Sequence, residues 1–288
     1  MASLKNVRTK IIGVKKTKQI TKAMNMVASA KLRGAQSRME RFRPYSCKFQ
    51  EMILDLSGKM EDSVHPLLGE RENPRSCGII LATSDRGLCG GFNTALISAA
   101  LKLAGEKEAE GLRVRFYHAG RKGRDAIKKS GKPQGELERF TLDPLDFQVA
   151  GNLGKAVVEE YLSGDLDQVY LVHGEFVSLS RQKPAVRTIL PLPAVDAGGK
   201  EPGERLYEPD PASLLASILP HHIKVLIYQG LLETSAGEHA ARMAAMDNAT
   251  RNCDEISAAL NLLYNKTRQS AITTDLIDIV SGAEALKG

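Results

Sequence analysis

Tryptophan is absent from this 288-residue chain, and the other aromatic residues make up only 5% of it. Proline is missing from residues 1–43 and again from 221–288. Stretches without proline leave the helical hydrogen-bond ladder unbroken, so both ends read as long helices. No run of about 18 apolar residues occurs, and no transmembrane helix is expected. Lys and Arg interrupt the first residues every few positions, which excludes the apolar core of a signal peptide. The four cysteines, Cys47, Cys77, Cys89 and Cys253, form no CxxC and have no histidine at a metal-ligand spacing. That pattern argues against a metal site and for free thiols in a reducing compartment. His221 and His222 are neighbours, but adjacent helical residues point about 100° apart and read as structural.

The C-terminal stretch carries a regular pattern. Met246, Ala249, Cys253, Ile256, Leu260, Leu263, Thr267 and Ser270 recur at alternating steps of three and four. This spacing keeps one narrow stripe on one side of a helix and suits a coiled-coil seam. A helix over this region spans roughly 100 Å, so something must lie along it. The N-terminal stretch is the candidate partner. Alanines such as Ala23, Ala28, Ala240, Ala241 and Ala249 would let two such helices approach closely. If the first helix ends near Lys59 and the second starts at Pro211, the second is longer and its end protrudes as a single helix.

Charge is concentrated at the N-terminus. Residues 1–43 hold twelve Lys or Arg against one acid, Glu40, a net of +11. The remainder holds 28 basic and 33 acidic residues, a net of −5. A basic helix either presents a solvated face or meets an acidic partner, such as nucleic acid, an anionic membrane or an acidic protein surface.

The middle of the chain changes period. Cys77–Thr83 is a continuous apolar run and reads as a strand buried on both faces. Leu112–His118 and Gln168–His173 are further strands, and Lys183–Leu192 a last extended piece. Thr94–Ala104, Gly123–Lys129 and Ala156–Leu162 read as helices. Strands alternating with helices imply βαβ units and a mostly parallel, three-layered sheet. Residues 194–211 are rich in Gly, Pro and Glu and read as a loop, closed by Asp210 as an N-cap before Pro211. The expected fold class is therefore α/β with long α extensions. An antiparallel coiled coil of N- and C-terminal helices flanks a Rossmann-like parallel-sheet domain. The divisions are 1–60, 75–195 and 211–288.

A Gly-rich turn, Gly87 to Asn93, sits between the first strand and its helix, the layout of phosphate-binding loops. The details depart from that chemistry. There is no GxGxxG and no GxxxxGK[ST], and no Lys between Ser84 and Leu101. The glycines then serve tight turns and close packing. No Ser-His-Asp order, HExxH or nucleophile elbow occurs. Asp85-Arg86 reads as a local ion pair. Two other classes stay open on these residues alone: a nucleotide-binding α/β enzyme and a nucleic-acid-binding coiled-coil protein. The second lacks the aromatics that stacking on single strands uses, since the first is Phe42.

Four segments carry a family resemblance. Thr17-Lys18-Gln19-Ile20-Thr21-Lys22-Ala23-Met24, continuing through Met26 to Lys31, resembles the opening helix of the gamma subunit of rotary ATP synthases. Ser84 to Asn93 (SDRGLCGGFN) is similar to that family's central loop. Glu238 to Thr250 (EHAARMAAMDNAT) and Tyr264 to Thr273 (YNKTRQSAIT) resemble its C-terminal helix.

The resemblance implies a rotor shaft that performs no covalent chemistry, needs no cofactor and binds no metal. It implies as partners the alpha and beta subunits of the catalytic ring, the epsilon subunit and the membrane c-ring. An acidic loop of the beta subunit would meet the basic helix. By position in the matched runs, Met24, Arg242, Arg268, Gln269 and Thr273 are implied contacts with the beta subunit. Tyr207 and Glu208 are implied as the foot on the membrane ring. Ile272, Leu276, Ile277, Ile279, Val280 and Leu286 would make an apolar end that a partner must cover. There is no cysteine between Cys89 and Cys253, so the dithiol switch of chloroplast members is not expected. The implied location is peripheral, on the cytoplasmic side of a bacterial inner membrane.

Overall fold

The computed structural model describes residues 4–57, 65–69, 71–135, 145–192, 208 and 210–285. In chain order the elements are α1 (Leu4–Ser57), β1 (Ser76–Ala82), α2 (Phe92–Ala109), β2 (Arg113–Ala119), α3 (Arg121–Lys129), α4 (Phe147–Ser163), β3 (Gln168–Phe176), β4 (Gln182–Leu190) and α5 (Pro211–Ala285). The chain divides into two compact units: Met1–Ala28 with Met243–Gly288, and Ser29–Arg242.

The larger unit is built on a four-stranded sheet of order β2-β1-β3-β4. β1 pairs in parallel with β2 and with β3, while β4 returns antiparallel to β3. Every residue of β1 is buried, as its unbroken apolar run requires. Its side chains alternate between two cores. Cys77, Ile79 and Leu81 meet α2 and α3, through residues such as Leu96, Ala100 and Ile127. Ile80 and Ala82 meet α4 and the first part of α5, through Leu153, Val157, Leu219, Ile223 and Ile227. These are the three layers that the alternation of strands and helices implies. The final extended piece is the one antiparallel strand of the sheet, because the short Val177–Arg181 turn cannot make a parallel crossover.

Some elements are longer than the sequence suggests: α4 begins at Phe147 rather than Ala156, and α2 covers Phe92–Ala109 rather than Thr94–Ala104. α1 continues through Pro44, in line with the expected end near Lys59. Pro44 is exposed, as is Glu40 one turn before it, so water can reach the carbonyl that the proline leaves unbonded. The restart of α5 follows the capping rule, since Ser213 N donates to Asp210 Oδ1 at 2.9 Å. Asp167 secures the start of β1. Its Oδ2 accepts from Arg75 N at 2.7 Å and from Ser76 N and Oγ at 3.0 and 2.9 Å, and Arg71 Nη1 donates to its Oδ1 at 2.7 Å. Burial pushes the carboxyl up, but these donors hold it below its ordinary value.

The turn from β2 to α3 depends on Gly120, at φ 103°. A Cβ there would lie 1.9 Å from the carbonyl oxygen of Thr83. Backbone cannot yield as a side chain can, so both the contact and the dihedral exclude alanine. Gly120→Ala is expected to destabilise this unit by about 4 kcal/mol or more, among the large values for a single substitution. Chemical denaturation followed by tyrosine fluorescence measures it. An unchanged midpoint would show that the turn relaxes freely.

In the smaller unit α1 and α5 run antiparallel. Lys18 pairs with Asp254, Thr21 with Thr250, and Asn25 Nδ2 donates to Met243 O at 2.8 Å. The α1 stripe is Leu4, Val7, Ile11, Val14, Lys18, Thr21, Asn25 and Ala28, a 3–4 repeat in which every member is at least partly buried. The α5 stripe differs in part from the expected seam. Met246, Ala249, Cys253, Leu260 and Thr267 are at least partly buried as predicted, but further along the helix the positions between them are Ser257, Tyr264 and Ala271, with Thr250 beside Ala249. Ile256 and Leu263 are instead 49% and 44% exposed. Thr250 and Asn25 explain this rotation. Hydrogen-bond partners set which face of α5 meets α1, and the apolar residues one position away turn outward.

Candidate functional site

The loop after β1 is held by side chains of α2 and α5 and by a backbone amide of α3. Asn93, in the first turn of α2, accepts from Ser84 N at 3.0 Å through its Oδ1. Its Nδ2 donates to Ser84 Oγ at 2.7 Å and Cys89 Sγ at 3.2 Å. Asp85 Oδ1 accepts from Arg121 N at 3.0 Å, at the start of α3. From α5, Arg242 donates to Gly87 O through Nε and Nη2 at 3.3 and 3.2 Å, and its Nη2 meets Glu238 Oε1 at 2.7 Å. The Arg242 and Glu238 side chains are only 11% and 10% exposed. Gly90 has φ 57°, and Leu88 is held at φ 65° with its side chain outward. This is a pinned turn, with the amide of Ser84 already engaged and Gly87 O already bonded. The i, i+4 spacing of Glu238 and Arg242 was readable as a helical ion pair; that its target is the loop was not.

The implied contact residues fall into three settings. Arg242 is occupied within the larger unit. Met24 is half-buried on α1 in the smaller unit. Arg268, Gln269 and Thr273 are exposed on successive turns of α5, where Thr273 Oγ1 donates to Gln269 O at 2.9 Å. Glu208 is exposed in a bend before α5. Tyr207 and Leu286 lie outside the described residues.

Beyond Gln269 the apolar character of α5 is left in the open. Exposure runs from 47% at Ile272 through 57% at Leu276, 58% at Ile277 and 62% at Val280 to 68% at Ile279. On α1 the basic side chains of the first 43 residues are exposed, apart from the half-buried Lys18 and Lys31. A surface of this kind, cationic on one helix and apolar at the end of the other, is suited to protein contacts rather than to chemistry. Among the described residues no group of three His, Cys, Asp or Glu is placed to hold a metal, and no helix is long and apolar enough to cross a membrane.

His221 and His222 occupy a ring cluster. His222 stacks on Phe49 at 5.9 Å, and His221 Nε2 lies 3.0 Å from Tyr45 Oη. Phe42, Phe147 and Tyr228 extend the cluster. A cleft of about 530 Å³ in the same unit is lined by His173, Arg187, Gln229 and Glu233. His173 Nδ1 lies 3.5 Å from Glu233 Oε2 and makes no hydrogen bond among the described residues.

Known proteins share this architecture. A family profile described as ATP synthase matches residues 3–286. The ATP synthase gamma chain of Nitratidesulfovibrio vulgaris strain Miyazaki F is 58% identical, with 100% of both chains covered. That of Lawsonia intracellularis is 53% identical over the same full coverage. Among solved structures, a chain of the Euglena gracilis mitochondrial ATP synthase OSCP/F1/c-ring assembly superposes with a TM-score of 0.65 at 20% identity, covering 98% of this chain and 94% of that one. A chain of the Tetrahymena thermophila central stalk and c-ring gives 0.58 at 23% identity, covering 80% and 99%. The structures establish a shared fold, with long terminal helices and an α/β sheet between them in the chain. The chain belongs to the ATP synthase gamma-chain family.

Proposed function

We propose that this chain is the central rotor shaft of a proton-translocating ATP synthase. It couples rotation of a membrane c-ring to catalysis in a ring of alpha and beta subunits, and it contributes no catalytic group itself. The observation that supports this most is the uncovered apolar end of α5, Ile272 to Val280. A single helix with apolar residues around its circumference needs a sleeve, and the alpha and beta subunits would supply one. The relatives are bacterial, in keeping with a peripheral position on the cytoplasmic face of the inner membrane, with the epsilon subunit as a further neighbour. The working divisions are 1–60 and 211–288 for the shaft helices and 75–195 for the sheet domain. Cys47 is exposed and offers a point of attachment. In a complex reconstituted with alpha and beta subunits, a bead tethered there rotates in one direction on addition of ATP. A complex that hydrolyses ATP under a stationary bead would exclude the shaft.

Met24, Arg242, Arg268, Gln269 and Thr273 are proposed as beta-subunit contacts, and Tyr207 and Glu208 as the foot on the c-ring. Glu208 is exposed, so reversing its charge disturbs no internal packing. Glu208→Lys is expected to weaken proton pumping in reconstituted vesicles more than ATP hydrolysis. Equal pumping at normal assembly removes the foot from these residues.

A further inference from the structure

Three successive layers of the helix pair in the smaller unit are polar. In α1 they are Lys18, Thr21 and Asn25, flanked by the apolar Ile11 and Val14 on one side and Ala28 on the other. Each reaches a different level of α5. Lys18 pairs with Asp254. Thr21 Oγ1 lies 2.8 Å from Thr250 Oγ1, and Asn25 Nδ2 lies 2.8 Å from Met243 O.

The proton count gives the central pair a direction. A hydroxyl has one proton to donate. Thr250 Oγ1 donates to Met246 O at 2.7 Å, so Thr21 is the donor across the seam. Thr21 is 8% exposed, and its alternative acceptor, Lys18 O at 3.1 Å, lies in its own helix. An apolar layer of the same size would bury more hydrophobic surface and hold the helices more tightly. Polar layers in a coiled coil give up that stability, and in return they admit one alignment. Here the cross-helix bonds of Thr21 and Asn25 and the Lys18 pair depend on the same axial position. Sliding either helix by one heptad, about 10 Å, breaks all three together. Apolar stripes alone repeat every seven residues and would accept such a slide of a heptad.

We propose that Thr21, Asn25 and Thr250 are the residues that set the register of α1 on α5 in this unit, acting as positioning residues rather than as sources of stability. Their consequence for coupling rests on the rotor function proposed above: a shaft of two helices transmits torque faithfully only if the helices do not slide. The register itself does not depend on that reading.

The test uses the full-length chain with Cys47→Ser and spin labels at Arg8→Cys and Asn248→Cys. Both sites are exposed and lie well apart along the helix axes. With the polar residues intact, pulsed dipolar spectroscopy gives one distance. Thr21→Val, Asn25→Leu and Thr250→Val together are expected to add a second population displaced by about 10 Å, the length of one heptad. The thermal midpoint should not fall. Thr21→Ser with Thr250→Ser, which keeps the hydroxyls, retains the single distance. One unchanged distance in the apolar variant would overturn the proposal, and so would a lower midpoint with one distance, the mark of a purely stabilising role. If the triple variant does not fold, Thr21→Val with Thr250→Val is read the same way. In the reconstituted complex the slipped variant should lose pumping severalfold relative to hydrolysis. Two distances with normal pumping would uphold the register and count against the shaft.

Discussion

Replacing Arg268 and Gln269 together by alanine is expected to lower steady-state ATP turnover of the assembled complex about tenfold or more. Both side chains stand exposed on α5, next to the seam position Thr267. Arg offers a planar fork of donors suited to a carboxylate, and Gln both donates and accepts. Buried against a partner, a charge-assisted contact of this kind is worth about 1.5 to 3 kcal/mol. A tenfold rate change corresponds to about 1.4 kcal/mol. Left in water, the same pair would be worth at most about 1 kcal/mol. The measurement is ATP hydrolysis by purified complex with the content of this chain verified on a gel. Wild-type turnover in a correctly assembled double variant would show that these residues do not control the catalytic cycle.

The larger unit is expected to lose much of its stability between about pH 6.5 and pH 4, the ordinary histidine value and the folded one. His118, His173 and His222 each have a pKa lowered to about 4, with burial as the main cause. Arg187 adds to the shift at His173 and His222, and Arg124 at His118. In the unfolded chain these rings take up protons below their ordinary value. In the folded chain they stay neutral until the lower one. Their contribution is therefore complete above the ordinary value and is lost as pH falls towards the folded value. Each can account for on the order of 2–3 kcal/mol across that interval. Glu233, whose carboxyl is raised by burial, works in the opposite sense and softens the slope. Denaturation midpoints measured across the range should fall steeply. His222→Phe keeps the ring stacked on Phe49 and removes an Nδ1 that has no hydrogen-bond partner. That variant should show a shallower pH dependence with little loss at neutral pH. An unchanged slope would mean that His222 is already protonated or solvated in the native state.

Much of the architecture was legible before any coordinates. The apolar run at β1, the glycine turn and the return to helix at Asp210 are all local signals, read from neighbours in the chain. β4 was legible as extended, and its short link to β3 is what makes it antiparallel. The clamp of Arg242 on Gly87 links residues 155 apart, and no local pattern announces such a contact. The implied contact residues came from resemblance. In the structure they fall in different settings, Arg242 engaged internally and Arg268 and Gln269 outward.

The sequence by itself determined that two proline-poor, amphipathic helices enclose an α/β sheet, and that the first helix is strongly basic. Those properties follow from hydrogen-bond continuity, apolar period and charge, which act over a few residues. Only the tertiary structure decided which stripe of α5 meets α1. The 3–4 repeat fits two adjacent faces of the helix nearly equally, one through Ala249, Ile256 and Leu263 and the other through Thr250, Ser257 and Tyr264. Apolar burial alone favours the first. The cross-helix bonds of Thr21 and Asn25 accompany the second, and the displaced Ile256 and Leu263 remain at the surface. A pattern of apolar residues states that a face must be covered; which partner covers it depends on the shape and polar groups of the surface brought against it.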